Sequence, residues 1–232
     1  MKKILFLTLT IFFFQSCFFS GVSIEGGSGG STEDIEKAQD THNESVRIFA
    51  LGDSLTAGFG LPLDESYPSQ LQGLLDETGG NYKVINAGVS GNTSAELKTR
   101  MNWVLSDAQV NDIAILVIGG NDGLRGMNLG DLESNIEEII EELKNHDMRI
   151  VLGGMQIPPN LGLSYTRDFE ILYKNIAKKH RDIYFLDFFL EGVAGERGLN
   201  LPDGIHPNRQ GYEIVSKQVY SFLLDNRLIG SR

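Results

Sequence analysis

The sequence predicts an α/β fold, a parallel five-stranded sheet covered by helices on both faces. Two observations carry this prediction. Five short runs, at 46–51, 82–85, 113–118, 149–152 and 183–186, are rich in Val, Ile, Leu and aromatic residues, as strands buried on both faces are. Between them lie longer stretches of helical spacing, and a chain that alternates strand with helix joins its strands in parallel through crossovers.

The first run begins at Val46 and stops at Gly52, where Gly52, Asp53 and Ser54 mark a turn. The second, from Tyr82, gives way to Asn86, Ala87 and Gly88, and the third, from Ile113, to Gly119, Gly120 and Asn121. The stretch 131–145 then places Leu132, Ile136, Ile139, Ile140 and Leu143 on one face and Glu133, Glu137, Glu138, Glu141 and Glu142 elsewhere, the pattern of an amphipathic helix. A similar stretch at 165–180 separates the fourth and fifth runs, and another at 210–224 follows them. Open sheets of this kind bind ligands outside the carboxyl ends of their strands, so function is expected in the segments after each run.

The chain has 232 residues, 41% of them hydrophobic, and a formal charge of −11 from 20 Lys and Arg against 31 Asp and Glu. These values suit one domain with a full core, and the acidic balance argues against a nucleic-acid partner. A single Cys excludes an internal disulfide, no Cys/His cluster has zinc-site spacing, and no cofactor motif is present. That Cys, Cys17, follows a leader in which Lys2 and Lys3 precede an apolar stretch at 4–14, too short to span a bilayer comfortably. With Ser16 before the Cys, the segment resembles a bacterial lipoprotein signal: residues 1–16 form the signal peptide and Cys17 is lipidated. Phe14 departs from the aliphatic residue usual in that pattern, and plain secretion and an inert leader thiol are the other readings. Residues 17–45 are Gly/Ser-rich and then acidic, the composition of a solvated tether, which leaves one domain at 46–232. The protein is therefore expected outside the cytoplasm, held to a membrane through its N-terminal lipid and facing the periplasm or the exterior.

Four segments of the domain carry chemistry. Ser54, at a strand-to-helix turn, has the position of a nucleophile whose own N–H meets a developing oxyanion; the bland reading of Gly52-Asp53-Ser54 is helix capping. Gly88 and Asn121, after the second and third runs, offer a backbone N–H and a carboxamide as oxyanion donors, or are simple Gly/Asn turns. Of four histidines, His42 lies in the tether and His146 and His180 at polar helix ends, where solvation is expected; only His206 has a carboxylate, Asp203, three residues away in a Gly/Pro-bounded turn. His206 is the candidate base, against the alternative of an ordinary loop before a helix. Asp53 and Asp122 are assigned supporting turn roles, the segment from Met155 to Tyr165 either lines an acyl channel or packs as a connector, and Phe188 and Phe189 are expected in the core.

Taken together, Gly52-Asp53-Ser54-Leu55, Gly88, Gly120-Asn121-Asp122 and Asp203-Gly204-Ile205-His206-Pro207, in this order at strand ends, resemble the SGNH/GDSL hydrolase family. The resemblance spans about residues 47–222 and implies a flavodoxin-like three-layer αβα sandwich. It also implies Ser54 as nucleophile with Asp203 and His206 as its triad partners, and Ser54, Gly88 and Asn121 as the oxyanion hole. The runs Ala50 to Gly58, Gly119 to Gly126 and Met155 to Asn160, with Asp203 to Arg209, look like the bacterial thioesterase/lysophospholipase/arylesterase branch. That branch implies hydrolysis of carboxylic esters and acyl thioesters, small-molecule or lipid, including lysophospholipids and arylesters, and nothing in the residues suggests a cofactor. The anchor and the acidic tether depart from its usual soluble form. Two other readings remain open: a carbohydrate O-acetyl esterase on the same fold, and a noncatalytic surface lipoprotein that binds without turnover.

Overall fold

Apolar residues at every position from Ile113 to Val117, and at 48–51 in the first run, leave those segments stable only when covered on both faces. In the computed structural model, which describes residues 45–230, they are the central strands of one parallel sheet. The strands are β1 (Val46–Gly52), β2 (Tyr82–Gly88), β3 (Ile113–Val117), β4 (Arg149–Gly153) and β5 (Tyr184–Leu186), in the order β2-β1-β3-β4-β5. All four pairings are parallel, so the expected α/β class and five-stranded sheet are observed. The lipoprotein signal, Cys17 and the tether up to residue 44 lie outside the described residues.

Eight α-helical segments are described: α1 (Ser54–Ala57), α2 (Tyr67–Asp76), α3 (Ser94–Thr99), α4 (Met101–Val104), α5 (Gly120–Leu124), α6 (Leu129–Asn145), α7 (Leu163–Lys179) and α8 (Arg209–Asp225). The expected stripe of α6 is buried in full, from Leu132 to Leu143, each such side chain contributing about 1.5–3 kcal/mol. Two stretches join the three helices legible in sequence. In α2, Tyr67, Leu71 and Leu75 recur every four residues and are buried, while α3 opens on a capping box in which Thr93 and Glu96 satisfy each other's backbone N–H groups. Helix α2 packs on α8, and α6 packs on α3 and α7. Right-handed crossovers account for this division, because connections that leave β1 and β3 in opposite directions along the sheet fall on opposite faces.

That reversal fixes the place of the site. β1 and β3 are neighbours whose connections depart in opposite directions, which leaves a crevice at their carboxyl ends. Far from it, Asp112 ties the amino ends of the same strands: its buried carboxylate accepts from the Arg47 backbone N–H at 3.0 Å and from the Arg47 guanidinium at 2.6 Å.

One expectation about histidines is corrected. His180 is 7% exposed rather than solvated, because the end of α7 lies against α6 and brings the ring Nδ1 3.0 Å from Lys144 Nζ; its Nε2 has no hydrogen-bond partner among the described residues.

Candidate active site

β1 closes on Gly52, where a side chain would collide with Thr56 and with the Val117 carbonyl; this close approach lets the chain turn directly into α1. Asp53 caps that turn, its Oδ1 accepting from the Leu55 N–H at 3.0 Å, as expected of a supporting residue. Ser54 is the first residue of α1, and its N–H is among the amides a helix leaves without an internal partner.

The turn before α8 brings the expected base to Ser54 across 152 residues of sequence. Asp203 organises it locally: one carboxylate oxygen accepts from the backbone N–H groups of Ile205 at 2.9 Å and His206 at 3.0 Å. The other lies 2.8 Å from His206 Nδ1. Partial burial pushes the Asp203 carboxyl up, but those two N–H groups and the imidazole outweigh it and hold the group below its ordinary value, so it is ionised at neutral pH. A proton on Nδ1, donated to Asp203, leaves the Nε2 lone pair facing Ser54 Oγ at 2.9 Å. Phe59 lies with its ring centroid 4.6 Å from that of His206 and walls one side of it. Sequence spacing offered no signal for Phe59. The hydroxyl, imidazole and carboxylate thus form a continuous relay able to take a proton from an attacking alcohol.

Asn121, in α5, also arrives beside Ser54. Its Nδ2 donates to the Asn92 carbonyl at 3.1 Å and, more weakly, to Asp53 Oδ2 at 3.3 Å, and its Oδ1 accepts from Arg125 at 3.3 Å. Burial of Asp53 pushes its carboxyl up to about 6, against the Leu55 N–H and the nearby His206, which favour the ionised form. Asp122 is a strut: its carboxylate accepts from the Ser94 N–H at 2.9 Å and the Ser94 hydroxyl at 2.6 Å, joining the segments after β2 and β3.

Gly88 is where the structure departs from expectation. It is no loop residue: β2 runs three residues past the expected end, so that Asn86, Ala87 and Gly88 pair with Ala50, Leu51 and Gly52. The Gly88 N–H donates to Asn86 Oδ1 at 3.0 Å, and its α-carbon is packed against the backbone of α1, where a side chain would clash. Its glycine serves close packing rather than a free donor. Ser90 and Gly91 are the residues of this segment that line the cavity, and Gly91, at φ +86°, has an N–H without a partner among the described residues. The Ser90-Gly91-Asn92 turn was visible in sequence, but two glycines three apart could not be ranked without the strand register.

Ser54, Gly91, Asn121 and His206 open on a cavity of about 610 Å³. Its other walls are mostly apolar: Leu124, Met155, Ile157, Pro158, Phe188, Leu190 and Ile205 among them. The first half of the 155–165 segment therefore lines a channel, while Leu161 and Leu163 are exposed. The Phe pair divides, with Phe189 in the core and Phe188 in the cavity wall. Among the described residues no group of three or more His, Cys, Asp or Glu side chains is placed to hold a metal ion.

A model of the GDSL-like lipase/acylhydrolase family matches residues 50–214, from β1 into α8. Esterase TesA of Pseudomonas aeruginosa is 35% identical over 160 residues, covering 69% of this chain and 79% of that protein. The Escherichia coli protein named thioesterase 1/protease 1/lysophospholipase L1 is 31% identical over 169 residues, covering 73% of this chain and 79% of its own. The crystal structure of AlinE4, an SGNH-hydrolase family esterase, superposes with a TM-score of 0.64 at 41% identity, over 81% of this chain and 98% of that one.

Proposed function

The chain belongs to the GDSL-like lipase/acylhydrolase family of ester-bond hydrolases, and from that premise we propose that it cleaves esters of acyl chains longer than acetate through a Ser54 acyl-enzyme. The observation that carries the reading is the Ser54–His206–Asp203 relay set on the lip of a largely apolar cavity. Ser54 Oγ attacks the acyl carbonyl while His206 Nε2 takes its proton, and Asp203 holds the ring and stabilises the imidazolium. His206 then gives that proton to the departing alkoxide or thiolate, and water repeats the sequence in reverse to release the acid. The Ser54 and Gly91 N–H groups and the Asn121 carboxamide receive the oxyanion, Gly91 taking the place expected of Gly88. Thioesters and lysophospholipids fall within the same chemistry, because the relay is indifferent to whether oxygen or sulfur leaves.

Initial rates on nitrophenyl esters of two to sixteen acyl carbons test the substrate class. We expect kcat/KM to rise at least about tenfold from acetate to an optimum at longer chains, since each methylene taken into an apolar pocket contributes about 1–3 kcal/mol. A maximum at acetate with a steep fall beyond it would replace this reading with an O-acetyl esterase.

The leader motif supports a further part of the proposal, that the enzyme is exported and anchored through lipid on Cys17. Growth with a radiolabelled fatty acid should label the full chain and leave a Cys17→Ala variant unlabelled; label in neither, beside a labelled lipoprotein control, rejects the anchor.

A further inference from the structure

Two arginines outside the relay converge on the short turn that carries Gly91. Arg125, exposed at the end of α5, donates through Nη2 to the Gly91 carbonyl at 3.0 Å and to Asn121 Oδ1 at 3.3 Å. Arg100, half-buried after α3, donates through Nε to Asn92 Oδ1 at 2.9 Å and through Nη2 to the Gly52 carbonyl at 3.0 Å, next to Asp53 and Ser54. Asn121 adds its own bond to the Asn92 carbonyl at 3.1 Å.

These bonds are unusual for their destination. Residues 90–92 belong to no helix or strand, Gly91 is exposed and in the left-handed region, and a single local backbone bond closes the turn, from the Asn92 N–H to the Val89 carbonyl at 3.1 Å. Yet the three elements that would supply oxyanion donors, the Gly52–Ser54 turn, the Gly91 turn and Asn121, are each gripped by one of the two guanidiniums, and the Gly91 turn by both. The planar guanidinium suits this work: Arg100 uses two of its nitrogens and Arg125 the two hydrogens of one Nη2, so each side chain holds two acceptors at a set separation. Arg125 has a second consequence. By donating to Asn121 Oδ1 it fixes which end of the carboxamide is the donor, since a flipped amide would set N–H against the guanidinium.

We propose that Arg125 and Arg100 are positioning residues for ester hydrolysis: they brace the Gly91 turn against Asn121 and Gly52 so that the oxyanion donors are set before substrate arrives. The inference rests on the acyl-enzyme reading above. The brace does not touch the substrate, and its effect belongs to the transition state, in which donors aimed in advance need no reorganisation.

Arg125 is the residue to test, because it is exposed and its removal leaves the core untouched. In the full chain, Arg125→Met should lower kcat by roughly 10- to 100-fold, the range expected when a catalytic donor is misplaced rather than deleted, with KM within about twofold. Arg125→Lys keeps the charge but loses the planar group that sets the directions of the two Nη2 bonds, and should fall between Met and wild type. A trifluoromethyl ketone of matched chain length, which adds to the serine and forms an oxyanion, should lose affinity in step with kcat/KM. A fatty acid, the product, should bind as before. Arg167→Ala, an exposed arginine on α7, should change nothing.

Unchanged kcat in Arg125→Met overturns the brace, as does a rise in KM at constant kcat, which would make Arg125 a substrate contact. Either result, found beside wild-type hydrolysis that Ser54→Ala abolishes, leaves the acyl-enzyme reading standing. Hydrolysis that survives Ser54→Ala overturns that reading and the brace with it.

Discussion

Ser54→Ala is expected to lower kcat by roughly 10⁴- to 10⁶-fold on any ester the wild type hydrolyses, and His206→Ala to lower it comparably. The size follows from the relay acting as one unit. Without the hydroxyl no acyl-enzyme forms, and without the imidazole the hydroxyl is a poor nucleophile at neutral pH. The residual rate is that of water attacking a carbonyl still held by the oxyanion donors. The double variant should therefore be little worse than either single one. Neither change should disturb the fold, because Ser54 Oγ has one hydrogen bond, to His206, and His206 sits in a turn whose backbone bonds to Asp203 survive truncation of the ring. Circular dichroism and thermal melts establish folding, and burst kinetics with a nitrophenyl ester count acyl-enzyme. Folded Ser54→Ala protein that turns over within tenfold of wild type would remove Ser54 from the mechanism.

Asn121→Ala is expected to lower kcat by about 10²- to 10³-fold, or about 2.7–4 kcal/mol of transition-state stabilisation, with KM little changed. Both hydrogens of Nδ2 are engaged in the structure, one well by the Asn92 carbonyl and one at the long distance of 3.3 Å by Asp53. The second is the one an oxyanion would take over, in exchange for a contact that was weak to begin with. Asn121→Asp separates the donor from the shape of the side chain: it fills the same space but sets a carboxylate beside Asp53 and offers the oxyanion no N–H. It should be at least as impaired as Asn121→Ala. An effect on KM alone, in either variant, would assign Asn121 to binding the ground state.

The fold was legible because its signals are local. A fully apolar run such as 113–117 can only be a buried strand or a buried helix, and its length and flanking glycines decide between them. The α6 stripe follows the helical period closely enough to be read by counting. α2 was missed because Pro68, Ser69, Gln70, Gln72 and Gly73 blur an otherwise regular spacing of Tyr67, Leu71 and Leu75. His180 was misjudged for a different reason: polar residues surround it in sequence, but burial is set by α6 lying across the end of α7, which no local pattern records.

By itself the sequence determined the α/β class and brought Ser54, Asn121, Asp203 and His206 forward as candidate nucleophile, donor, acid and base, because residue type and strand-end position limit which groups could take those roles. Only the tertiary structure decided which glycine stands at the site. The parallel pairing of β2 with β1 continues through Gly88 and uses that residue for close packing on α1, so the segment meets the cavity only beyond the strand, at Ser90 and Gly91. Tertiary structure alone also brought Arg100 and Arg125 to the same turn and placed Phe188 rather than Phe189 in the cavity wall. Hydrogen-bond register and the facing of side chains depend on how segments far apart in the chain meet, and a one-residue slip along a strand exchanges one face for the other.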